Sequence, residues 1–167
     1  MAILDAVREG KPVIDRVITI AGAINSPKNL RVRIGTPIKD VIEHCQGVSG
    51  EVAKVIIGGP LMGLSQYSVE VPVSKETPGI FIQSESELAT ISSQKCISCG
   101  WCVDVCPMNL LPNIISSLCE VNMFKEADDY GLSYCIECGC CAYICPVKIP
   151  LVHWIKYGKS QLEKEEK

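Results

Sequence analysis

Cysteine is the residue type in this chain whose spacing could do chemistry. Cys96-Ile97-Ser98-Cys99-Gly100-Trp101-Cys102-Val103-Asp104-Val105-Cys106-Pro107 reads C-x2-C-x2-C-x3-C-P, and Cys135, Cys138, Cys141, Cys145 and Pro146 repeat it without a change of register. Three thiolates at three-residue spacings can wrap round a cuboidal iron–sulfur cluster, each taking one iron, while the fourth lies a turn of helix further on and points away. Structural zinc is four-coordinate and is normally met by separated C-x2–4-C pairs, which a single run of four cysteines fits poorly. Eleven cysteines is an odd count for a closed disulfide framework. Residues 1–11 also set Asp5, Arg8, Glu9 and Lys11 among the apolar positions, so the uninterrupted apolar run of a secretory signal is missing and an oxidising compartment is not expected. The expected cofactors are two [4Fe–4S] clusters, and the expected location is cytoplasmic.

In two-cluster proteins with this motif the fourth cysteine serves the other cluster. One cluster is therefore expected on Cys96, Cys99, Cys102 and Cys145, and the other on Cys135, Cys138, Cys141 and Cys106. The proline after each fourth cysteine removes a backbone donor and ends the local turn. Backbone N–H groups around Gly100 and Gly139 are expected to face the cluster sulfurs. Eight thiolates and two oxidised cores add about −4 to the formal charge of −3, so redox partner proteins should present basic surfaces.

The other reactive side chains read blandly. Cys45, Cys119 and Cys140 are expected to pack as small buried hydrophobes. His44 and His153 have no second histidine or carboxylate at metal spacing. Trp101, Tyr134 and Tyr143 sit among the ligands, where shielding from water is as good a reading as a redox role. Gly58-Gly59-Pro60-Leu61-Met62-Gly63 is neither G-x-G-x-x-G nor a Walker A loop, and Pro60 lacks an N–H that a phosphate cradle would use. No nucleophile is paired with a base, so no catalytic residue is expected and the chain reads as an electron relay.

The elements that must position these residues fall into two kinds. Ten of the eleven cysteines follow Lys95. Before that point, residues 13–23 and 30–34 read as strands rich in β-branched residues, joined by the turn chemistry of Asn25-Ser26-Pro27-Lys28-Asn29 into a hairpin. Thr36-Pro37 offers an N-cap and an N1 proline to a short helix with Ile38, Val41, Ile42 and Cys45 on one face, ending near Gly47. Residues 52–57 form the next strand. Tyr67, Val69, Val71 and Val73 alternate with polar residues as an edge strand containing Pro72, and Gly79-Ile80-Phe81-Ile82 completes the sheet. The fold class is α+β: a small β-grasp-like domain, then an α-helical two-cluster ferredoxin-like domain. The domains are expected at 13–90 and 91–160, with an N-terminal extension at 1–12 and a charged, fraying tail at 161–167. Helices are expected over 110–121, 123–130 and 151–166, with Gly131 just past the end of the second.

Composition narrows the function further. With 47% hydrophobic and 21% charged residues the chain has the profile of a soluble globular protein. Its most apolar run, residues 55–64, is short and broken by two glycines and a proline, so no membrane span is expected. Beyond Arg31 and Arg33 there is no basic cluster, and the formal charge of −3 lacks the footprint of a nucleic-acid binder.

Lys28-Asn29-Leu30-Arg31-Val32-Arg33-Ile34-Gly35-Thr36-Pro37, the Gly58 to Gly63 turn, Pro72-Val73-Ser74-Lys75-Glu76-Thr77-Pro78-Gly79-Ile80 and both cysteine motifs closely resemble RnfC, the C subunit of the Rnf electron transport complex. The resemblance implies a soluble-ligand-binding β-grasp (SLBB) domain ahead of a ferredoxin-like domain. It also implies a peripheral subunit on the cytoplasmic face of the cell membrane, in a complex that passes electrons between ferredoxin and NAD⁺ while moving sodium ions or protons. Its partners would be the other subunits of that complex. Members of the family carry a large nucleotide- and FMN-binding region ahead of the β-grasp domain. This chain starts almost at that domain, so it is expected to be a piece of such a subunit or a split form of it, with FMN and NADH bound only in the upstream region. A cobalamin-reductase subunit of diol-utilising microcompartments resembles the same layout. The alternative of another class is an SLBB ligand-binding module whose clusters are only structural.

Overall fold

The computed structural model describes residues 2–88 and 95–165, which form two compact units within Met1–Leu88 and Ala89–Lys167. The boundary expected at residue 90 and the last two residues of the expected tail lie outside the described residues. Among the described residues no helix is long and apolar enough to cross a membrane.

The first unit is a five-stranded mixed sheet that clasps one helix. Its strands are β1 (Asp15–Gly22), β2 (Lys28–Arg33), β3 (Val52–Ile57), β4 (Leu64–Gln66) and β5 (Gly79–Ser84), in the order β2-β1-β5-β3-β4. β1 and β5 run parallel at the centre and the other pairings are antiparallel. Strand alternation explains the register: Ile18 and Ile20 of β1 and Ile80 and Ile82 of β5 point inward and are fully buried, while Val17 points outward. Helix α2 (Ile38–His44) lays Ile38, Val41 and Ile42 on that face, and Cys45 behind it is fully buried. Each such isoleucine contributes about 2 kcal/mol of burial, an upper estimate because unfolded chains already bury some surface. The hairpin forms as expected, with a shorter turn. The Asn25 side chain in it donates to Gln46 O (2.8 Å) and Val48 O (3.1 Å), which ties the turn to the loop behind α2.

Two expectations are corrected together. Residues 67–73 do not form an edge strand, and Thr36 does not cap α2, whose N-cap position is Pro37 with no side-chain bond. The helix instead takes its cap from the other segment: Ile38 N–H donates to Val71 O and Lys39 N–H to Val69 O, each at 3.0 Å. The alternation of Val69, Val71 and Val73 is real and faces the core, but the Val69 and Val71 carbonyls are spent on orphan N–H groups of the helix, and that of Val73 on Gly35 N–H at 2.8 Å, rather than on a ladder. The third strand of that half is β4, too short to show a period. A helix, α1 (Ala2–Glu9), stands where only an extension was expected.

The second unit is helical: α3 (Trp101–Asp104), α4 (Pro112–Glu120), α5 (Phe124–Asp129), α6 (Cys140–Ile144) and α7 (Leu151–Glu165). α4 packs on α7 and α5, and α3 packs on α6. Ile115, Cys119, Ala127, Leu132 and Ile155 make one core, while Cys102, Cys141, Leu151 and Val152 make another. Phe124 meets Tyr157 edge-on at 5.8 Å between α5 and α7. Gly131 follows the C-cap Tyr130 in the left-handed region, as its expected place after α5 requires. The charged segment from Gln161 does not fray at once, because α7 carries it to Glu165.

Candidate metal centres

The two cysteine motifs fold alike. In each, the residue two after the first cysteine has a positive φ, 55° for Ser98 and 56° for Glu137, and its N–H reaches the first cysteine's sulfur at 3.4 Å. A left-handed glycine, Gly100 or Gly139, then turns the chain into α3 or α6, whose second residues are Cys102 and Cys141. The N–H groups of Ser98 and Glu137, each two residues before its glycine, thus donate to thiol sulfur. Leu110 N–H makes a further such bond, to Cys106 Sγ at 3.4 Å.

Packing α3 on α6 gathers the eight thiols round two cavities. One, of about 380 Å³ including its mouth, is lined by Cys106, Cys135, Cys138 and Cys141, with Leu110, Ile115, Val152 and Ile155 in its wall. The other, of about 370 Å³ including its mouth, is lined by Cys96, Cys99, Cys102 and Cys145, with Asn113, Ile149 and Leu151. Each cavity thus receives three thiols from one motif and the fourth from its repeat. Among the described residues no three His, Cys, Asp or Glu side chains converge as one ion requires. The thiols instead stand round a space, an arrangement that suits a polynuclear group in which every iron takes one soft donor.

Burial acts on these thiols in one direction. It pushes Cys141 up to about 12 and raises Cys102 and Cys135, the last against the N–H of Glu137 and the nearby Lys159 ammonium. Without metal they stay protonated at neutral pH, so loading a cluster releases protons. An iron–sulfur cluster, when bound, supplies one-electron chemistry without proton transfer. The protein supplies the thiolates, the N–H donors and the apolar walls that exclude water.

These features can be set beside known proteins. Residues 17–65 match the SLBB domain model, and residues 88–146 match the 4Fe-4S dicluster domain model. The C subunit of an ion-translocating oxidoreductase complex from Methanosarcina acetivorans is 49% identical over 161 residues, covering 96% of this chain and 36% of that protein. The C subunit of a proton-translocating ferredoxin:NAD(+) oxidoreductase complex from Clostridium ljungdahlii is 46% identical, with the same shares covered. Its counterpart in an ion-translocating oxidoreductase complex of Rhodobacter capsulatus is 41% identical, over 96% of this chain and 31% of its own. The chain belongs to this RnfC family. It spans about a third of the length of the curated relatives it matches. The dicluster match assigns two [4Fe–4S] clusters to it.

In this member of the RnfC family the remaining candidates divide. Cys45 and Cys119 are fully buried, as packing predicts, and burial raises the Cys119 thiol. Cys140 departs from the expectation: it is only half-buried at the start of α6, and a hydrogen bond with Cys138 raises its thiol. Trp101, Tyr134 and Tyr143 are largely exposed and are not among the residues that line the two cavities. His44 and His153 are exposed, the latter edge-on to Trp154. Sequence reasoning missed two groups beside the thiols. Asn113 stands in the wall of the second cavity with Oδ1 buried and unpartnered. Glu137 stands in the wall of the first and is paired to Lys159 and Lys156 at 3.4 and 3.9 Å.

Proposed function

We propose that this chain is the electron-relay part of the RnfC subunit of an ion-translocating ferredoxin:NAD⁺ oxidoreductase complex. One cluster sits on Cys96, Cys99, Cys102 and Cys145, the other on Cys135, Cys138, Cys141 and Cys106. The lining of the two cavities is the observation that supports this reading, because two clusters tied by shared ligands form a short conduit rather than two separate staples. The domains run from 13 to 90 and from 91 to 160. The chain lies peripherally on the cytoplasmic face of the membrane, held by the other subunits of the complex. Electrons arrive from and leave to redox partner proteins. FMN and NADH chemistry belongs to parts of RnfC outside this chain.

Anaerobic reconstitution should give about eight irons and eight acid-labile sulfides per chain, and a low-potential donor protein should reduce the clusters reversibly. Stoichiometric zinc with little sulfide would contradict the relay. Clusters that no donor protein reduces would leave them a structural role. The chain alone should retain neither FMN nor NADH, and flavin co-purifying one-to-one would contradict the division of labour.

A further inference from the structure

The two motifs differ in charge at two matched positions: Ser98 against Glu137 in the cysteine loops, and the exposed Asp104 against Tyr143 on the helices that follow. Ser98 and Glu137 occupy the same place in the repeat, share the positive φ and make the same N–H bond to the first sulfur, but only Glu137 carries a charge. Its carboxylate meets two ammonium groups of α7, Lys159 at 3.4 Å and Lys156 at 3.9 Å. Lys159 also donates to Cys135 O at 2.5 Å. On α7, Val152 and Ile155 wall the cavity of Cys106, Cys135, Cys138 and Cys141, and Lys159 lies one turn beyond Ile155. The cavity of Cys96, Cys99, Cys102 and Cys145 has no charged residue in its wall.

From this we infer that Lys159 is a positioning residue that raises the reduction potential of the cluster on Cys106, Cys135, Cys138 and Cys141, and so sets the two clusters apart. The inference rests on the two-cluster reading above. Lys159 holds both the Cys135 carbonyl and the Glu137 carboxylate, bracketing the N–H to sulfur bond between those residues. Reduction adds one electron and no proton, so the reduced cluster is the more negative state, and a nearby cation and a well-aimed N–H both favour it. Side-chain exposures of 22% for Lys159 and 33% for Glu137 keep the pair largely out of water, where solvent screens its field less. Deleting the Lys159 charge leaves the Glu137 carboxylate in the wall of this cavity, whereas no charged residue lines the cavity beside Ser98 among the described residues.

The test is a redox titration of the reconstituted chain, followed by electron paramagnetic resonance, after iron and sulfide have been counted. Lys159→Met should lower one midpoint potential and leave the other in place, and Lys159→Arg, which keeps charge and donor, should restore it. Glu137→Gln keeps an acceptor for Lys159 while deleting the negative charge, and it should raise that same midpoint. If Lys159→Met fails to assemble, Lys159→Gln, which keeps a donor and deletes the charge, should lower that midpoint in its place. Unmoved midpoints, equal shifts of both, or no restoration by arginine would overturn the inference. A wild-type chain without two clusters would instead sink the reading beneath it.

Discussion

Stripping iron from the reconstituted chain with a chelator should melt residues 95–165 and leave the sheet unit folded. α3, α5 and α6 have four, six and five residues. Helices below about 12–15 residues are marginal in water without packing partners. Here part of the packing is the ligand set itself, since Cys102 and Cys141 form one core with Leu151 and Val152. A buried thiol held up at about 12, like Cys141, gives no folding drive of its own when the metal is gone. The sheet unit has a separate core built on Ile18, Ile20, Ile80 and Ile82, without motif cysteines. Hydrogen exchange should show the amides of Val103, Asp104 and Tyr143 losing protection on chelation while those of Ile20 and Ile82 keep theirs. Retained protection throughout would show that the helical unit folds without clusters.

Gly22→Ala should cost the sheet unit on the order of 3 kcal/mol, from a left-handed backbone and a steric clash acting together. Gly22 has φ +95°, and a Cβ there would overlap Ile82 O in the adjacent central strand. That oxygen accepts from Ala23 N–H at 2.7 Å, so it cannot retreat without breaking the β1–β5 junction. Gly35 provides the comparison, with φ +96° and nothing within 4 Å of where a methyl would stand. Gly35→Ala should lose only the backbone cost, about 1 kcal/mol. Urea unfolding followed by far-UV circular dichroism would measure both. Equal losses at the two positions would show that the close approach of β1 and β5 is not what Gly22 serves.

What the sequence made legible was what is local. The motif spacing singled out the eight thiols because cluster chemistry imposes a short, fixed interval. The turn residues around Asn25 placed the hairpin, and the apolar positions 38, 41 and 42 placed α2 because the period of a helix is written in consecutive residues. The 67–73 segment misled for the same reason: alternation reports which side chains face the core, not where the carbonyls find their donors. The cap of α2 comes from Val69 and Val71, some thirty residues along the chain, and no local signal announces it. The pairing of Lys159 with the Cys135 loop was equally hidden, since it depends on α7 folding back over that loop. Cys140 escapes full burial because the turn at Gly139 sets it beside Cys138, which its spacing does not reveal.

The crossing of ligands between the two motifs is the centre of this account, and paired substitutions test it most directly. Four single variants, Cys96→Ser, Cys106→Ser, Cys135→Ser and Cys145→Ser, would be reconstituted anaerobically and their reduced clusters compared by electron paramagnetic resonance. Cys106→Ser should alter the same signal as Cys135→Ser, and Cys145→Ser the same signal as Cys96→Ser, because each fourth cysteine lines the cavity of the other motif. If Cys106→Ser altered the signal that Cys96→Ser alters, each motif would hold its own cluster and the account would be wrong.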